Sequence, residues 1–118
     1  MDDELSAIDW EQMDMIADGY TSDFVEICRE FAGEIPGLFA TLDGYFKDND
    51  LAKTARVAHQ IKGSSANFGF IGVSVPMAAV EASAKAGSLE GFSERLELAR
   101  TNFERARQEL LENRGIRL

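Results

Sequence analysis

The residues most able to do chemistry fall in one stretch, AHQIKGSSANFGF, residues 58–70. It holds the chain's single histidine, His59, followed by Lys62, Gly63, Ser64, Ser65, Asn67 and Gly69. Imidazole is mostly neutral near pH 7, and its neutral form is a good nucleophile. A cation three residues on lies on the same side of a helix as the histidine. A glycine at i+4 removes a side chain from that side at a cost of roughly 0.5–1 kcal/mol relative to alanine. Close approach of another body is the usual reason to keep such a glycine. The group therefore points to a nucleophile that meets an anion on a face left open for a partner.

Other chemistries fail on inventory. One histidine and one cysteine, Cys28, cannot make a His/Cys metal site. There is no GxxxxGK[ST] or GxGxxG phosphate loop, and nothing marks a nucleophile elbow. No ATP-binding domain is present, so the chain is not read as a kinase. Cys28 lies on an apolar stripe and is expected to be inert core.

The segment carrying His59 must be a helix. Residues 51–68 place Leu51, Ala55, Ala58, Ile61 or Lys62, Ser65 and Phe68 inward, an unusually small set that implies close packing. Asp48, Asn49 and Asp50 supply the turn and N-cap before it. On this helix Ala55, Arg56, His59, Lys62, Gly63 and Ala66 share one side, and His59 is expected at the solvent border. Residues 22–46 repeat apolar positions at threes and fours: Phe24, Cys28, Phe31, Ile35, Leu38, Leu42 and Tyr45. Pro36 lies inside that helix and should bend it. A weaker helix, about 73–86, puts Val73, Met77, Val80 and Ala84 on one face, with Pro76 near its first turn and Gly87 as its stop. A last helix is predicted from Ser88, as N-cap, through Leu89, Phe92, Leu96, Ala99, Phe103, Ala106 and Leu110. Asp9 and Gln12 have capping-box spacing, and Ile8 and Met13 have staple spacing. They predict a short helix over 10–17, ended by Gly19. Alternating strand patterns are absent. The fold expected is all-α: an antiparallel up-down-up-down four-helix bundle with a short extra N-terminal helix. It would form a single domain over 1–118, with its core bundle at about 22–112.

Composition bounds the partners. The 118 residues carry 21 acids and 12 bases, a net charge of −9. That argues against nucleic acid and anionic membrane. The acidic N-terminus is unlike a signal peptide. The most apolar run, 68–80, is too short to span a bilayer and is broken by Gly72, Ser74 and Pro76. A cytoplasmic protein is expected. Residues 51–80 hold no acid but carry Lys53, Arg56 and Lys62. A locally basic face on an acidic protein implies an acidic partner or a phosphoryl group.

The run His59-x-x-Lys62-Gly63-Ser64-Ser65-x-Asn67-x-Gly69 resembles the signature of histidine-containing phosphotransfer (HPt) domains of two-component phosphorelays. The likeness extends more loosely over about residues 5–110. The resemblance implies that His59 accepts a phosphoryl group from the aspartyl phosphate of one response-regulator receiver domain. It then passes the group to the aspartate of another. Lys62 would balance charge on the phosphoryl oxygens, and Gly63 would leave room for the receiver. The receiver supplies Mg²⁺, so the chain needs no cofactor of its own. Expected partners are receiver domains or a hybrid sensor histidine kinase. The family often has glutamine on the neighbouring helix, bonded to the histidine or phosphoryl group. The matching residue here is Glu81, with Lys85 one turn on. Glu81 could accept from the imidazole N–H and fix its tautomer, yet would repel phosphate if too close. Ala55, Arg56 and Ala66 are candidate partner contacts. Two rival readings are a helical adaptor that binds receiver-like partners without phosphorylation, and a purely structural bundle. The second leaves the cost of Gly63 unexplained.

Overall fold

A computed structural model of the chain describes residues 6–118. The acidic opening, residues 1–5, lies outside the described residues. The described residues form five helices and no strand. These are α1 (Trp10–Ala17), α2 (Ser22–Lys47), α3 (Leu51–Asn67), α4 (Ile71–Lys85) and α5 (Phe92–Arg114). Helix α3 packs on α2 and α4, α4 packs on α5, and α5 returns to α2. None of the helices is long and apolar enough to cross a membrane.

The caps explain most of the boundaries. Asp9 accepts from the Gln12 N–H at 3.3 Å, starting α1, and the left-handed residues Asp18 and Gly19 end it. The reciprocal half of the capping box is not made. Gln12 Nε2 donates instead to the Ala66 carbonyl at 2.7 Å, and the Asp9 N–H donates to the Gly69 carbonyl at 2.7 Å. Both bonds tie α1 to the end of α3. Gly69 has φ +74°, and a Cβ there would lie 2.9 Å from the Asp9 carbonyl oxygen. Asp50 caps α3 by accepting from the Lys53 N–H at 3.0 Å.

Two expectations need correcting. Ser88 is not the N-cap of α5. That helix begins four residues later, after Gly91 in the left-handed region. The Ser88 hydroxyl accepts from the Glu90 N–H, and its carbonyl accepts from Ser83 Oγ, so both serve the turn that follows α4. Helix α4 begins at Ile71, so Pro76 falls in its second turn. A proline there cannot donate to the Gly72 carbonyl. Asn102 Nδ2 donates to that oxygen instead, at 2.9 Å.

Helix α2 continues through Pro36 and buries Cys28, Phe31, Ile35, Phe39 and Leu42. Phe31 and Phe70 meet edge to face at 5.1 Å, and Phe39 and Phe103 do so at 6.3 Å. Burying one such ring contributes about 1.5–3 kcal/mol. Helix α3 buries Thr54, Ala55, Val57, Ala58, Ile61 and Ser65. Of the two alternatives at its centre, Ile61 takes the core position and is fully buried. These small residues bring α3 close to α4, which sets the distance across which the site is built.

Candidate functional site

His59 stands beside the buried seam of Ala58 and Ile61, and its side chain is 65% exposed. Across from it, α4 turns Met77, Val80, Glu81 and Ala84 inward. Glu81 is therefore buried by the packing of its own helix, with its side chain 7% exposed. A buried carboxylate is costly unless paired, and Glu81 has three nitrogen partners. Lys62 Nζ lies 2.8 Å from Oε1, Lys85 Nζ lies 2.7 Å from Oε2, and His59 Nδ1 lies 2.9 Å from Oε2. Lys62 follows His59 by one turn on α3, and Lys85 follows Glu81 by one turn on α4. The Lys62 ammonium, then Lys85, then His59 hold the Glu81 carboxyl down to about 2, against burial, which pushes it up.

This arrangement fixes the imidazole. An ionised carboxylate can only accept hydrogen bonds, so Nδ1 must donate. In the neutral ring Nε2 then keeps its lone pair and is the nucleophilic atom. Two lysines against one carboxylate leave an excess positive charge beside that atom. Arg56, exposed one turn before His59 on α3, adds a further cation. A hollow of about 290 Å³ opens here between α3 and α4, lined by Ala52, Ala55, Arg56, His59, Glu81 and Lys85.

The other singled-out residues sort themselves by burial. Gly63 is exposed, and a Cβ built there would meet nothing within 4 Å, so helix packing does not require the glycine. Ala66 is exposed on the same side. Ala55, which the spacing set both on the inward stripe and on the His59 side, is only 6% exposed and lines the hollow. Ser65 is fully buried in the close α3 packing. Cys28 is 1% exposed, and burial pushes its thiol up to about 11, which leaves it unreactive. No cluster of His, Cys, Asp or Glu among the described residues could hold a metal ion. Ala52 was not singled out in the sequence. Its only signal was a small residue two turns before His59.

A family model described as the Hpt domain matches residues 26–110. The chain belongs to the Hpt domain family. Hpt domains carry phosphoryl groups in two-component phosphorelays, and they are carriers rather than ATP-dependent kinases. No curated protein and no solved structure matches this Hpt chain significantly.

Proposed function

We propose that the chain is a phosphorelay intermediate. His59 accepts a phosphoryl group from the aspartyl phosphate of one receiver domain and passes it to an aspartate of another. The observation that carries this reading is the 2.9 Å bond from Nδ1 of an exposed His59 to a buried, ionised Glu81. The Nε2 lone pair attacks phosphorus, the Nε2–P bond forms, and the acyl P–O bond breaks with its electrons leaving on the aspartate carboxylate. The ring gains positive charge as the bond forms. Glu81 stabilises that charge through the Nδ1–H, as the buried aspartate does in a Ser-His-Asp triad. The Nδ1 proton stays on the ring, so the phosphorylated ring remains a good leaving group and the transfer runs both ways.

Lys62 and Lys85 keep Glu81 ionised and leave the site positive overall, which draws in the anionic donor. Gly63 and Ala66 leave the face beside His59 open to the receiver, which brings the Mg²⁺ and the carboxylate. The bundle supporting this face is up-down-up-down. Its three-residue connections, 48–50 and 68–70, and the ring of neighbours α2, α3, α4 and α5 favour antiparallel packing. The chain acts as one cytoplasmic domain, with receiver domains or a hybrid sensor kinase as partners.

Incubation with phosphorylated receiver domains tests this reading. An acid-labile label should appear on the chain and vanish in His59→Gln. That variant should keep its helicity, since an exposed substitution away from caps and core changes stability by no more than about 0.5 kcal/mol. Acid-labile phosphate persisting in His59→Gln would overturn the mechanism.

A further inference from the structure

The positive face around His59 has a negative neighbour. Along α2, Glu26, Glu30 and Glu34 recur every four residues, and all three are exposed. Like charges at that spacing destabilise a helix. The helix dipole favours an acid in the first turn, which accounts for Asp23 but not for Glu30 or Glu34. No cation offsets them. Their side chains make no hydrogen bond or ion pair among the described residues. Arg29, one turn from Glu26, donates to the Arg117 carbonyl at 3.0 Å instead. Between α2 and α3 lies a hollow of about 240 Å³, lined by Ile27, Glu30 and Glu34 on one helix and Ser64 and Asn67 on the other. The stacked rings of Phe31 and Phe68 line it too, and Ile27 is 54% exposed. Asn67 follows Gly63 by one turn on α3, so the hollow adjoins the open side of the histidine.

We infer that Glu30 and Glu34 are specificity-determining residues: with Ile27 they select receivers that present an apolar side chain flanked by lysine or arginine. The inference rests on the phosphorelay reading above and adds which receivers the chain accepts. The apolar side chain fills the hollow against Ile27. The flanking cations meet two carboxylates that have no partner within the described chain. On α3 the sign is opposite, since residues 51–80 hold no acid and Lys53 and Arg56 are exposed. A docked receiver thus meets a negative strip and a positive strip on adjacent helices. That pairing favours one orientation and penalises a receiver with the reversed charges, which is how rim charges confer specificity. Glu30 and Glu34 contact neither His59 nor Glu81, so they act on association and not on the transfer step.

The test compares two donors. Phosphoramidate labels His59 without a docked protein: the Nε2–P bond forms, the donor's P–N bond breaks, and ammonia leaves. Phosphorylated receiver domains, sorted by the sign of the charge flanking their phosphoaspartate, label only after docking. Rates are measured over receiver concentration and salt in wild type, Glu30→Lys, Glu34→Lys and Glu97→Lys. The last makes the same change in net charge on the exposed face of α5. Glu30→Lys and Glu34→Lys should each lower kcat/KM for receivers with basic flanks by roughly three- to tenfold, as an exposed attraction becomes a repulsion. The loss should lie in KM and shrink at high salt. Receivers with acidic flanks should be accepted better by the same variants. Tm and phosphoramidate labelling should stay at wild-type levels, and Glu97→Lys should leave both donors unaffected. Ile27→Ala should weaken transfer from receivers at every salt concentration and leave phosphoramidate labelling alone. If Glu30→Lys and Glu34→Lys change receiver transfer no more than Glu97→Lys, the inference is overturned. It is also overturned if they slow phosphoramidate labelling equally. A wild-type protein that takes no label on His59 from either donor would instead sink the phosphorelay reading, and the inference with it.

Discussion

Asp14 and Glu81, two of the carboxylates that pair with cations, do so differently. Asp14 on α1 receives Arg114 Nη2 at 2.6 Å, Arg114 Nε at 3.0 Å and the Tyr20 hydroxyl at 2.5 Å. The guanidinium also lies over the rings of Trp10, at 4.5 Å, and Tyr20, at 5.6 Å. One negative charge meets one positive charge, and aromatic faces lie against the cation. Glu81 instead meets two lysines and an exposed imidazole, with an open hollow and a bare glycine nearby. Both carboxyls are held below the usual range, Asp14 chiefly by Arg114 and Glu81 chiefly by Lys62. A depressed pKa therefore does not distinguish a staple from a reactive site. What sets the Glu81 cluster apart is its surplus positive charge and its exposed imidazole.

Substituting the two carboxylates separately should break that contrast most sharply. Glu81→Leu removes the acceptor of the His59 Nδ1–H and leaves Lys62 half-buried without its partner. Phosphoryl transfer should fall by roughly tenfold or more, and Tm should drop. Glu81→Gln keeps an acceptor oxygen but not the charge, and should recover only part of the rate. Asp14→Leu should lower Tm modestly, since exposed pairs contribute little, and leave the transfer rate unchanged. An equal loss of transfer in Asp14→Leu would erase the distinction between the clusters.

A second pair of positions separates packing from clearance. Gly72 and Gly63 both lie inside helices. A Cβ at Gly72 would lie 2.7 Å from Asn102 Cβ and 3.2 Å from Ala7 Cα, so Gly72→Ala should destabilise by about 1–3 kcal/mol through overpacking. Gly63→Ala meets open space and should stabilise by up to about 1 kcal/mol. Thermal or denaturant melts of the two variants check both signs. Destabilisation in Gly63→Ala would show that this face is not open.

The smallest expected effect is in acid. The folded pKa of Glu81, about 2, lies below its ordinary value of 4.5. Its ionised form is favoured by folding, so its contribution is full above about pH 4.5 and is lost as pH falls through about 2. The Tm difference between wild type and Glu81→Gln should therefore be constant near neutral pH and shrink across that window. A difference independent of pH down to 2 would mean the charge of Glu81 contributes nothing to stability.

Much of this was legible along the chain because local signals agreed. Asp9, Asp50 and Gly19 announce helix ends by chemistry that needs no tertiary context. The threes and fours of Cys28, Phe31, Ile35 and Leu42 mark the buried stripe of α2. The run from His59 to Gly69 identified the family. What stayed hidden depends on contacts across helices. Ser88 looked like a cap, but the turn after α4 uses its hydroxyl and its carbonyl. Asn102 interrupts an otherwise apolar stripe, and only the oxygen left free by Pro76 gives it a purpose. The i,i+4 pair Glu81 and Lys85 was visible, as was the i,i+3 pair His59 and Lys62. That the other three meet on the Glu81 carboxylate depends on the α3–α4 distance, which no single helix encodes.

The central claim is that Glu81 holds Nδ1, so that His59 reacts through Nε2. The most direct measurement is ¹⁵N and ³¹P NMR of the phosphorylated protein labelled at its histidine, which reports the nitrogen bonded to phosphorus. The expected result is a single phosphohistidine with phosphorus on Nε2 and a proton on Nδ1. Phosphorus on Nδ1, or on any residue other than His59, would contradict it.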